Sequence, residues 1–169
     1  MAINISFTKA PYKKAEGAVL CFYEGKEASA SVNSLDYELH GYIDHVVEKS
    51  KSFKGKSGQI EVLMLPENAP YGYAILLGLG KKEKFTKMDA EKVGGKLVAA
   101  LDGKNIESLE FFVDNELSDS GELTAHIALG MHLRSYKFDL YKTKKEDEDD
   151  KKLEIEQVHF VSFDSDRAQ

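Results

Sequence analysis

"YAILLGLGKKEKFTKMDAEKVGGKLVAAL", residues 73–101, changes its hydrophobic period once along its length. Residues 73–79 are a continuous apolar run, the pattern of a strand covered on both faces. After Gly80 and a lysine-rich turn, a helix is expected from about Thr86, where Val93, Leu97, Val98 and Leu101 form one stripe. Thr86 and Asp89 read as a capping box with Asp in place of Glu. Gly94-Gly95 in mid-helix costs roughly 1 kcal/mol per glycine against alanine, and close approach of helix to sheet is the expected compensation. Asp102-Gly103-Lys104 ends the helix with glycine in a left-handed cap.

Outward from this unit the same alternation continues. Residues 17–23, GAVLCFY, form a second doubly covered strand. Strands are also expected at 2–8, 59–65, 107–113 and 153–163, with Pro66 stopping the one before it. The polar segment 24–32 reads as a loop. It leads to a helix capped by Asn33 or Ser34, with Asp36 in its first turn and a stripe of Leu35, Leu39, Tyr42, Ile43, Val46 and Val47. A third helix is expected from about Asp119 to Tyr136. Leu123, Ile127, Met131 and Arg134 form one stripe on it, and His126, Leu129, Leu133 and Tyr136 a second, so it should pack on more than one side. Beyond Tyr136 the pattern turns to period two, which predicts that the helix stops there and the chain runs on extended. The acidic run Glu146 to Asp150 reads as a solvated loop. The element order predicts an α/β fold, a mixed β-sheet with helices on both faces. One domain is expected over residues 1–164, with 165–169 beginning a linker.

Composition narrows the function classes. A chain of 169 residues buries about 70% of its unfolded surface and needs no staples. Its formal net charge of −6 disfavours a general nucleic-acid binder. Lys49, Lys51, Lys54 and Lys56 make a local basic connector with Phe53; a solvated loop is the default there and a nucleic-acid contact the sharper alternative. The single cysteine, Cys21, lies in an apolar strand and reads as a small buried hydrophobe, which fits a reducing, cytoplasmic setting. No run reaches the ~18 apolar residues of a spanning helix, and the first residues carry no signal-peptide core.

The search for chemistry is short. His40 and His45 diverge on their helix, as do His126 and His132, and neither HExxH nor a cysteine pair occurs. There is no GxSxG elbow. Gly78-Leu79-Gly80 gives half of a GxGxxG fingerprint, but residue 83 is Glu and the helix starts late. Gly55-Lys56-Ser57 looks like the end of a P-loop but precedes a strand. The residues by themselves give no catalytic, cofactor-binding or metal-binding set.

Three stretches carry a resemblance. "ALGMHLRSYKFDLYKTKK", residues 128–145, has a helix rich in small residues followed by SY-basic-FD-x-YKT, and a later strand holds His159-Phe160-Val161. "LLGLGKKEKFT", residues 76–86, and "AEKVGGKLVAAL", residues 90–101, precede it in order. Together they resemble the N-terminal domain of the leucyl aminopeptidase (cytosol aminopeptidase) family. The resemblance implies a macro-domain-like sheet and a domain without chemistry of its own, serving hexamer assembly and access to the active sites. In that family, catalysis belongs to a separate C-terminal domain. There, carboxylates and a lysine around the signature NTDAEGR hold two divalent metals, zinc or manganese, which activate water for removal of N-terminal amino acids. NTDAEGR does not occur here, so no catalytic or metal residue carries over. Two alternatives remain. One is a macro-like module binding a nucleotide such as ADP-ribose through Gly78 to Gly80. The other is DNA contact through the lysines at 49–56 or 142–145.

Overall fold

The computed structural model describes residues 3–11, 14–114, 121–142 and 155–162, with residues 137–142 described by backbone alone. The expected charged loop at 146–150 and the expected linker at 165–169 lie outside the described residues, as do Thr143, Lys144 and Lys145.

Strands β1 (Asn4–Thr8), β2 (Gly17–Tyr23), β3 (Glu27–Ala28), β4 (Ile60–Met64), β5 (Tyr73–Gly80), β6 (Ser108–Val113) and β7 (Gln157–Ser162) form one sheet. Its order is β1-β7-β6-β2-β5-β4, with β3 pairing β2 off this path. From β1 to β5 all neighbours in that order are parallel, while β4 pairs β5 antiparallel. The helices are α1 (Ala30–Glu38), α2 (Tyr42–Lys49), α3 (Lys87–Leu101) and α4 (Glu122–Lys142). This is the expected α/β fold with a mixed sheet.

Alternation along the central strands sorts the core into two layers. Val19, Cys21 and Tyr23 join Ile75, Leu77, Leu79, Leu109, Phe111 and Val113 in packing against α3 and α4. Ala18, Leu20, Phe22, Ala74, Leu76 and Phe112 pack against α1 and α2. Every residue of β2 is buried, so both faces of GAVLCFY are covered as its unbroken apolar run requires. Each large side chain so buried contributes roughly 1.5–3 kcal/mol.

The structure departs from the sequence reading at three helices. The expected single helix over Leu35 to Val47 is two helices meeting at His40 (φ 54°) and Gly41 (φ 78°). The cause is Asp36. Its carboxylate accepts hydrogen bonds from the backbone N–H of Ile43 (2.7 Å) and Asp44 (3.2 Å), and so caps α2 rather than starting α1. The N-cap of α1 is Ser29, not Asn33 or Ser34.

Of the two mid-helix glycines of α3, Gly94 serves a helix, not the sheet. A Cβ on Gly94 would sit 2.1 Å from the Ile127 carbonyl oxygen, and one on Gly130 would sit 2.0 Å from that of Glu91. The two glycines let the backbones of α3 and α4 touch reciprocally. Gly95 is not part of this contact: its Cβ would find Gly130 O at 3.7 Å.

Helix α4 continues to Lys142 instead of stopping near Tyr136. Residues 137–142 hold no Gly or Pro, and extending a formed helix adds one hydrogen bond per residue fixed, so a short period-two pattern does not interrupt it. The capping box at Thr86 is present as expected, with the Asp89 N–H bonding Thr86 Oγ1 (3.3 Å) and the Thr86 N–H bonding Asp89 Oδ2 (3.0 Å).

Candidate functional site

At the carboxyl ends of β2 and β6 the chain leaves in opposite directions. β2 feeds α1 and α2 on one face, and β6 feeds α4 on the other. Ligands of open α/β sheets bind at such a point. Here the position is taken by the protein itself. Buried Asp114, the residue after β6, accepts the Ser31 N–H at one carboxylate oxygen (3.0 Å) and the Ser31 hydroxyl at the other (3.0 Å). The first turn of α1, which could otherwise hold an anion, is satisfied by this carboxylate. Below it Cys21 is buried, and burial first, then the Asp114 charge, pushes its thiol far above its ordinary 9.0. The thiol is inert, as its apolar strand predicts.

The glycine loops next to this crevice are closed in the same way. A Cβ on Gly78 would lie 2.2 Å from Lys56 O, and one on Gly55 would lie 2.1 Å from Tyr23 O. Segment 54–58 therefore lies flat on the ends of β2 and β5. The N–H groups are spent in that contact: Gly78 bonds Gln59 O (2.7 Å), Gly80 bonds Gly55 O (2.9 Å), Gly58 bonds Gly78 O (2.9 Å) and Gly25 bonds Lys54 O (3.1 Å). Gly78, Gly80 and Gly55, each weighed from sequence as part of a phosphate cradle, have structural work instead.

Among the described residues this edge also holds a basic crevice of about 500 Å³, lined by Glu24, Gly25, Lys26, Lys54, Lys56 and Lys81. Lys26 is anchored, donating to Val47 O (2.6 Å) and Ser50 O (2.8 Å) at the end of α2. The neighbouring Lys82 ammonium stands 5.6 Å over the Tyr23 ring. Of the four lysines singled out from sequence, the structure brings Lys54 and Lys56 together here, while Lys49 and Lys51 do not line the crevice. Sequence reading missed Lys26 and Lys81. The available signal was their position just beyond the carboxyl ends of β2 and β5.

A second polar group lies on the α1–α2 face. Glu110, fully buried in β6, accepts the Tyr71 hydroxyl at Oε2, and its Oε1 has no partner among the described residues. Burial, then Glu110, push the Tyr71 phenol well above its ordinary 10.0. His159 is the registered neighbour of both Glu110 and Ser6, and its Nδ1 lies 2.5 Å from Ser6 Oγ. His126 pairs with Glu91 at 2.6 Å and ties α4 to α3. Among the described residues no three His, Cys, Asp or Glu side chains converge on one point. This donor set does not fit a two-metal centre.

The outer face of α4 is unlike its inner one. Ile127 and Met131 are fully buried, whereas Leu129, Leu133 and Tyr136 are 41%, 47% and 56% exposed. Of the second stripe read from sequence, His126 pairs with Glu91 of α3, while Leu129, Leu133 and Tyr136 stay exposed among the described residues.

Residues 18–145 match the model of the cytosol aminopeptidase family, N-terminal domain. A probable cytosol aminopeptidase of Rickettsia canadensis is 30% identical over 144 residues, which is 83% of this chain and 29% of that protein. Another, from Rickettsia massiliae, is 28% identical over 166 residues, covering 96% of this chain and 33% of that one. The chain thus spans about a third of the length of the curated relatives it matches. Among solved structures, a mutant of tomato leucine aminopeptidase superposes with a TM-score of 0.72 at 19% identity, over 95% of this chain and 32% of that one. A Trypanosoma brucei macrodomain in complex with ADP-ribose has the same fold, with a TM-score of 0.62 at 10% identity, over 95% and 64% of the two chains.

Proposed function

The chain belongs to the cytosol aminopeptidase family, matching its N-terminal domain, and from that premise we propose that it is a non-catalytic docking domain. Its partner is the catalytic domain of a leucyl aminopeptidase, a cytoplasmic metallo-exopeptidase that uses two divalent metals, zinc or manganese. Residues 1–164 form this domain and residues 165–169 begin the connection onward. Its role is to build the hexamer and shape access to the active sites. The reading is carried by Leu129, Leu133 and Tyr136. They are spaced i, i+4, i+7 on α4 and left exposed on the same helix as fully buried Ile127 and Met131. An apolar helical stripe of this kind wants a partner surface, and the relatives are about three times as long as this chain.

The nucleotide reading has less support. The N–H groups of Gly78 and Gly80 are already bonded to carbonyls, and Asp114 fills the turn of α1 that would face a phosphate.

The test is co-elution with the separately expressed catalytic domain of the Rickettsia canadensis enzyme. The chain is expected to form a complex that Leu129→Glu/Leu133→Glu abolishes while the variant keeps its folded spectrum. A chain that never associates, or a complex that ignores the double variant, contradicts the reading.

A further inference from the structure

We propose that the lysine crevice on the carboxyl edge is a binding site for a small ligand carrying a chain of two or more phosphates. This inference does not depend on the docking role of α4.

Four observations converge. First, the crevice sits at the carboxyl ends of parallel strands β2 and β5, where α/β sheets receive ligands. Second, its volume of about 500 Å³ is that of a small-molecule site and exceeds what one phosphate ion fills. Third, Lys26, Lys54, Lys56 and Lys81 face a single acid, Glu24, in a chain whose net charge is −6. The ammonium groups of Lys54, Lys56 and Lys81 make no ion pair or hydrogen bond among the described residues, whereas Lys87 is paired with Glu122 at 2.7 Å. Fourth, the segments carrying these lysines are fixed before any ligand arrives. Gln59 Oε1 accepts the N–H of Lys54 (2.9 Å) and of Lys56 (3.0 Å), and the carbonyls of Lys54 and Gly55 accept from Gly25 and Gly80.

The chemistry follows from what is free and what is not. The N–H groups of Gly25, Lys26, Lys54, Lys56, Gly58, Gly78 and Gly80 are spent within the chain, so recognition rests mainly on ammonium groups. Lysine binds phosphate as a point charge without a fixed fork geometry. Free ammonium groups from two separate segments, Lys54 with Lys56 and Lys81, reward a ligand with several charges in a row over one with a single charge. The overall negative charge suppresses diffuse binding of long polyanions, so the small ligand is favoured over a nucleic-acid backbone.

The experiment titrates the chain with sodium tripolyphosphate in a calorimeter, at low and at physiological salt. One saturable site is expected, tighter than for orthophosphate and weakening as salt rises. Lys54→Ala/Lys56→Ala is expected to weaken it by about tenfold or more. Lys49→Ala/Lys51→Ala removes the same charge from outside the crevice and is expected to change it by less than about twofold. Three results overturn the proposal: no saturable heat at low salt, equal weakening by the two double variants, or citrate binding as tightly as tripolyphosphate. Displacement of tripolyphosphate by a lower concentration of duplex DNA also overturns it, by assigning the lysines to nucleic acid.

Discussion

Helices α3 and α4 touch backbone to backbone through Gly94 and Gly130, whereas α1 and α2 are separate short helices joined at a corner that one carboxylate, Asp36, holds. The first layer is welded by shape and places a bare apolar stripe on its outer side. The second layer is tied by polar groups, Asp36 at its corner, Asp114 at its start and Glu110 with Tyr71 beneath it. The difference teaches where each kind of change should hurt. Added volume breaks the α3–α4 layer, and lost hydrogen bonds or changed charge break the α1–α2 layer.

The largest effect is expected at Gly130→Ala. The new Cβ meets the Glu91 carbonyl, which is backbone and cannot swing away, so the helices must part. A loss of roughly 3 kcal/mol or more is expected by urea denaturation, well beyond the ~1 kcal/mol gained in helix propensity. Gly95→Ala sharpens the contrast. With its nearest neighbour at 3.7 Å, it should be neutral or stabilising by up to about 1 kcal/mol. Equal destabilisation by both would remove the reciprocal contact from the account.

Tyr71→Phe is the matching probe of the other layer. It leaves both oxygens of buried Glu110 without a hydrogen bond, at a cost of about 2 kcal/mol at neutral pH. One buried titratable group in each layer predicts a pH dependence. Burial raises Tyr71 and Cys21 above their ordinary 10.0 and 9.0, so the folded state favours both neutral forms. Their stabilisation is complete below those values and is lost as pH rises, at up to about 1.4 kcal/mol per pH unit for each group. The denaturation midpoint should hold steady up to about pH 9 and then fall. Cys21→Ala should remove the earlier part of that fall and Tyr71→Phe the later. A midpoint that falls identically in both variants and the parent would contradict this.

The smallest effect is at Thr86→Ala, which opens the capping box of α3. A loss of about 1 kcal/mol is expected, because the cap is exposed and local.

These positions also show how far the sequence could be read. Residues 73–101 were transparent because the period, the cap and the terminating glycine agree with one another. The break between α1 and α2 was hidden because Leu39, Tyr42 and Ile43 stay on the core side through the corner. Gly41 in the middle of the stripe was its only local sign. The purpose of Gly94 could not be read, since its partner Gly130 lies on another helix and a glycine does not announce what it approaches. The crevice was half legible. Lys54 and Lys56 were singled out as a basic run, but Lys26 and Lys81 join them only through the parallel register of β2 and β5.

The central claim is that this chain offers surface and no peptidase chemistry. The most direct test is leucyl-p-nitroanilide hydrolysis by the purified chain, alone and with added zinc or manganese. The expected rate is the buffer background under all three conditions. Turnover that follows the chain through successive purification steps and rises with added metal would contradict the account.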